Sequence, residues 1–128
     1  MVVTGEAGMG KSRLLHEFLQ NADIINQHQA TIALCQTDQM MRNSFNPFRY
    51  WLRRYFGISE TQVESRNKRS FNQILDQLIM DTQDPQLAGE LDRTRSFLAA
   101  LVNLFWQDSL YEQLDPESRY ENTITALI

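Results

Sequence analysis

Gly5-Glu6-Ala7-Gly8-Met9-Gly10-Lys11-Ser12 is the stretch on which the reading of this chain turns. It satisfies G-x-x-x-x-G-K-[ST] at every fixed position. Each residue type answers a chemical need. Glycine permits positive φ and lets backbone amides approach an anion with no Cβ between them. Successive N–H groups then form an anion-binding nest, and a helix opening near Lys11 adds the positive end of its dipole. Lys11 offers a point charge to the outer phosphates of a nucleotide, and the Ser12 hydroxyl a hard oxygen ligand to Mg²⁺. Three of the chain's five glycines and one of its two lysines fall in these eight residues, a concentration this composition does not readily yield by chance.

The flanks extend the pattern. Met1–Thr4 is a short apolar run that reads as the tail of a strand. Leu14, Leu15, Phe18, Leu19, Ala22 and Ile25 recur at helical spacing, and Ala30–Cys35 reads as a second strand. Strand, glycine-rich loop, helix and strand make a βαβ unit, the usual context of a parallel sheet. The expected fold is α/β, the three-layer αβα architecture of P-loop NTPases. Residues 1–36 would be its nucleotide-binding core, and residues 46–128 a mainly helical remainder.

That remainder is punctuated by caps. Asn46-Pro47 is an N-cap and N1 pair, followed by Phe48, Trp51, Leu52, Tyr55 and Phe56 on one face and a stop at Gly57. Residues 59–69 are polar and read as a linker. Phe71, Ile74, Leu75, Leu78 and Ile79 form a second apolar face. Asp84-Pro85 opens a third helix, whose apolar positions run from Leu87 and Leu91 through Phe97 to Phe105. Asp115-Pro116 opens the last, with Tyr120, Ile124, Leu127 and Ile128 on one side. The sequence ends inside an apolar helical pattern, so the 128 residues read as the N-terminal part of one domain.

Composition narrows the function. A net charge of −4 is a poor basis for non-specific nucleic-acid binding. The single cysteine, Cys35, cannot form an internal disulfide and reads as a small buried apolar group in a reducing, cytoplasmic setting. His16 and His28 are too isolated for a metal site, and no run of about eighteen apolar residues is present to span a membrane. Hydrolysis would need a second acid at the end of an apolar strand. Asp38 and Asp108 are the candidates, and both read better as solvated or capping carboxylates. Arg49, Arg53 and Arg54, among Tyr50, Trp51 and Tyr55, read as the outer face of an amphipathic helix rather than a stacking platform for nucleic acid.

From Val2 to Leu14 the sequence resembles the AAA-like ATPase domain of STAND-type signalling NTPases. The Gly-Glu-Ala-Gly-x-Gly-Lys-Ser-Arg-Leu form carries the resemblance more than the bare motif does. Cys35 at the end of the second expected strand and the Ser44-Phe45-Asn46-Pro47-Phe48 loop, followed by an aromatic helix, are similar to that family too. The resemblance implies ATP, bound with Mg²⁺ through Gly5, Glu6, Ala7, Gly8, Met9, Gly10, Lys11, Ser12 and Arg13, with Ser12 on the metal. It implies a nucleotide-dependent switch within a larger regulator, whose partners are other domains of the same polypeptide or further copies of it. The family's acidic Walker B strand follows a helix like residues 116–128, where this sequence stops. The resemblance therefore assigns ATP hydrolysis to an intact parent protein. The rivals are a P-loop small-molecule kinase and a helical interaction module whose loop binds nothing.

Overall fold

Helix is favoured wherever a side chain or a left-handed residue can satisfy the free amides and carbonyls at its ends. The computed structural model describes residues 2–20, 35 and 44–128, and every regular element among them is a helix. They are α1 (Lys11–Gln20), α2 (Asn46–Tyr55), α3 (Glu64–Asp81), α4 (Pro85–Leu101), α5 (Leu110–Gln113) and α6 (Pro116–Thr125). The chain divides into two compact units, Met1–Ala33 and Leu34–Ile128.

This corrects the expected α/β, three-layer αβα fold with its βαβ unit. The described residues contain helices and no strand or sheet. Val2–Thr4 is irregular and exposed, with no ladder to complete it. The second expected strand lies outside the described residues except for Cys35, which is exposed rather than buried. In the first unit α1 follows the expected spacing as far as Gln20, but it buries none of its side chains. Leu14, Leu15 and Phe18 are all exposed, and Ala22 and Ile25 fall outside the described residues.

In the second unit α4 is the hub, packed by α2, α3, α5 and α6. Its N-terminus is closed by Asp84, whose Oδ1 accepts from the amides of Gln86 (2.9 Å) and Leu87 (3.4 Å), with Pro85 behind it. Asp115 closes α6 in the same way through the amides of Glu117 and Ser118. Phe71 and Leu75 of α3 meet Leu98, Ala99 and Leu101 of α4, with Leu52 and Phe56 added from α2. Burying each such large side chain contributes about 1.5–3 kcal/mol.

Three boundaries differ from the sequence reading. The N-cap of α2 is Phe45, at φ 63°, so Asn46 is the first helical residue rather than the cap. The polar linker covers only residues 59–63, because α3 begins at Glu64. Glu64 pairs with Lys68 across one turn at 2.7 Å. Helix α4 ends at Leu101 and does not continue to Trp106. Asn103 turns left-handed at φ 63°, and the amides of Asn103 and Leu104 return to the carbonyls of Ala100 and Ala99. This is a Schellman closure with asparagine in the glycine position. Gly57 closes α2 by the same geometry, as its position in the sequence implies. On α6 the expected apolar face is only partly used: Leu127 packs on the core, while Tyr120 and Ile128 are exposed.

Candidate functional site

The loop preceding α1 has the backbone its sequence requires. Gly8 and Gly10 stand at φ 84° and 81°, outside the range that other residues adopt readily. The two left-handed residues let the chain double back between Glu6 and Lys11, where α1 begins. The Met9 amide closes a long turn on the Glu6 carbonyl at 3.4 Å, and the Leu14 amide bonds the Gly10 carbonyl at 2.9 Å to start the helical ladder. The first turn of α1 carries no acidic residue. No carboxylate of that turn offsets the N-terminal dipole, and the nearest in sequence is Glu6 of the loop itself.

Lys11 bends back over this loop. Its Nζ donates to the carbonyls of Gly5 (2.7 Å) and Glu6 (2.6 Å). An ammonium has three donors, so one remains for an anion held against the loop. The structure thus brings Gly5, Glu6, Gly8, Gly10 and Lys11 together as one turn. Ser12 lies in the first turn of α1, exposed. The side chains of Glu6, Ala7 and Met9 are exposed, and that of Arg13 points to Glu17 along its own helix at 3.9 Å.

The loop fits Mg²⁺ only as an ion carried by a nucleotide. Ser12 offers a single hydroxyl, and no group of three metal-binding side chains occurs among the described residues. Mg²⁺ tolerates this, because it keeps several waters and takes most of its other ligands from phosphate. Asp38 lies outside the described residues. Asp108 is exposed at φ 59°, as a solvated carboxylate should be.

Two of the arginines of α2 have structural duties, while Arg54 is exposed. Arg49 Nε caps the C-terminal end of α4 through the Leu101 carbonyl at 2.9 Å, and Arg53 pairs with Glu60 at 3.2 Å. The aromatic residues among them do not all face inward, since Phe48, Tyr50 and Tyr55 are exposed. Sequence reasoning missed two clusters. In one, Arg95 of α4 bonds Asp76 of α3 at 2.6 Å and Asp92 at 3.0 Å. Partial burial works against its charge, but the hydrogen bonds and Coulombic attraction of the two aspartates together outweigh that and raise its pKa. In the other, Arg119 of α6 donates to the carbonyls of Tyr111 (2.7 Å) and Glu112 (3.0 Å) and lies over the Tyr111 ring. Asp92, three residues before Arg95 on α4, is within reach of a helical spacing rule, but the bonds from Arg95 to Asp76 and from Arg119 to Tyr111 and Glu112 join different helices and have no local signature.

No family model, curated protein or solved structure matches the chain. Among the described residues no helix is long and apolar enough to cross a membrane.

Proposed function

We propose that the loop of residues 5–12 binds the phosphates of ATP with Mg²⁺, and that the chain is the nucleotide-dependent switch part of a larger cytoplasmic regulator. The observation that carries this is the left-handed pair Gly8 and Gly10, leading into a helix whose first residue, Lys11, folds its ammonium over the same turn. Backbone amides freed by such a turn, a helix N-terminus and a cation converge on one small region, the combination that phosphate requires. Lys11 would exchange its carbonyl contacts for the outer phosphates, and Ser12 would take one position on the metal. The resemblance of residues 2–14 to STAND-type ATPases supplies ATP as the nucleotide. It also supplies neighbouring domains or further copies of the chain as the partners that read the switch.

One observation favours the rival reading of a helical interaction module. Two of the three Lys11 donors are already used by the loop itself, which would suffice for a structural turn. Titration with a fluorescent ATP analogue and Mg²⁺ separates the two. Under the proposal, binding saturates, ATP competes better than GTP, and Lys11→Ala weakens it by about ten-fold or more, the loss expected for a charge-assisted hydrogen bond. Absence of binding by a folded chain, or binding indifferent to Lys11→Ala, would sink it.

A further inference from the structure

Among the described residues of the second unit five basic side chains are half-buried: Arg49, Arg53, Lys68, Arg95 and Arg119. Three of them pair with carboxylates: Arg53 with Glu60, Lys68 with Glu64, and Arg95 with Asp76 and Asp92. Arg49 and Arg119 form no ion pair with any carboxylate among the described residues, and both line one cleft of about 320 Å³. Partly desolvating two cations without a counter-charge is unfavourable, and the other half-buried cations described in this unit avoid it. A cleft bearing one sign of charge also concentrates field at its mouth.

The walls are aromatic. Arg119 lies 4.9 Å from the centroid of the Tyr111 ring, which holds the guanidinium plane against an apolar surface. Opposite, Phe45 and Tyr120 stack at 5.5 Å between centroids. Phe45 does so from φ 63°, a conformation that costs an aromatic residue energy. Each arginine is fixed by neutral oxygens: Arg49 by the Leu101 carbonyl and the Asn103 Oδ1 at 3.3 Å, Arg119 by the carbonyls of Tyr111 and Glu112. Those bonds hold the forks in place without neutralising them. The volume is at the small end of ligand pockets, which run from about 300 to 1,000 Å³.

We propose that this cleft binds a small aromatic anion, a single ring carrying a carboxylate or phosphate, with Arg49 and Arg119 on the anion and Tyr111 and Tyr120 on the ring. Planar oxyanions match the guanidinium fork, and a ring matches the aromatic walls. The site is independent of the glycine-rich loop and stands or falls without it.

The test uses the full chain carrying Lys11→Ala, so that the loop contributes nothing to phosphate binding. Benzoate and phenyl phosphate are titrated against it, with benzyl alcohol as the uncharged counterpart, and backbone amide shifts are followed by NMR. Both anions should saturate, with shifts centred on residues 100–101 and 119–123, and benzyl alcohol should bind about ten-fold more weakly or worse. The stronger of the two anions identifies the acid group. Arg49→Lys and Arg119→Lys keep the charge but lose the fork, and each should weaken the anions by about five-fold or more. Equal binding of benzyl alcohol, shifts centred elsewhere, or no saturation in the millimolar range would overturn the proposal. If Arg119→Lys fails to fold, because the fork also holds α5, the comparison of charged and uncharged probes on the parent chain decides the matter alone.

Discussion

Replacing single glycines of the loop by alanine gives a prediction whose size differs between Gly5 and its two left-handed neighbours. At Gly8 and Gly10 a new Cβ would meet nothing within 4 Å, so crowding contributes nothing. The cost is in the backbone: φ is 84° and 81°, and holding an L-residue left-handed costs about 1–2 kcal/mol. The loop is exposed, so Gly10→Ala can relieve this strain when no ligand is present, by relaxing to a different turn. Binding ATP would have to restore the original turn, and the strain would then appear as lost affinity. At 1.4 kcal/mol per factor of ten, either substitution should weaken ATP by about five- to thirty-fold. Gly5 is different. It is not left-handed, and its added Cβ would lie 3.8 Å from the Lys11 Cδ, an ordinary contact. Gly5→Ala should therefore leave affinity within about two-fold, the range of conformationally neutral surface changes. Displacement of a fluorescent ATP analogue by ATP measures all three variants under one set of conditions. If Gly5→Ala and Gly10→Ala lose affinity equally, or if neither Gly8→Ala nor Gly10→Ala loses any, the backbone argument is wrong.

Other expectations concern the helical unit. Phe71 has no exposed surface and sits between Phe56 and Trp106, so Phe71→Ala should cost about 3–5 kcal/mol in urea unfolding; a loss below about 1 kcal/mol would mean that this core is not packed as described. Asn67 is buried and holds Ser59 from both sides, its Oδ1 accepting from the Ser59 amide at 3.2 Å and its Nδ2 donating to the Ser59 carbonyl at 2.8 Å. Asn67→Ala should lose about 1–3 kcal/mol for the pair of bonds. Asn67→Asp keeps the acceptor but sets a carboxylate against the Ser59 carbonyl, so its melting point should not recover. Hydrogen bonds from the Ser118 hydroxyl and then the Ser118 amide hold the Asp115 carboxyl below its ordinary pKa. Its cap is in full force above the ordinary carboxylate range and is lost as pH falls through the lowered folded value. The gap in thermal midpoint between the parent chain and Asp115→Asn should shrink on acidification, and a gap that grows would contradict the assignment.

Features that depend on residues two or three apart were legible. Asp84-Pro85 and Asp115-Pro116 mark helix starts because one carboxylate and the next two amides make the whole device. Gly57 marks a stop because its left-handed φ needs nothing beyond the helix it ends. Asn46-Pro47 was displaced by one position, since Phe45 takes the cap conformation and stacks on Tyr120, a residue no local rule connects to it. The end of α4 was missed for a related reason. Apolar spacing continues through Leu104 and Phe105, but Asn103 adopts the left-handed turn, and Leu104 is buried as the residue that closes it. Arg119 carried no signal at all, because its role depends on Tyr111 and the cleft opposite Arg49.

The irregular backbone of Val2–Thr4 and the defined turn at residues 5–12 have one cause. A helix closes its hydrogen bonds within itself, whereas a strand takes every one from a neighbour. Val2-Val3-Thr4 has β-type side chains, yet these residues are irregular and exposed. Side-chain preference alone does not make a strand. The glycine-rich turn asks for much less. Two left-handed glycines, a lysine five or six residues beyond the carbonyls it meets, and the opening turn of α1 are enough to set its geometry. Its conformation is therefore a property of about a dozen consecutive residues, set with no sheet among the described residues. Phosphate recognition by amides and a helix N-terminus is local in the same sense. Catalysis is not, since a water-orienting acid has to be delivered by a distant segment. This difference in range explains why residues 5–12 support a proposal about binding while Asp38 and Asp108 support none about turnover.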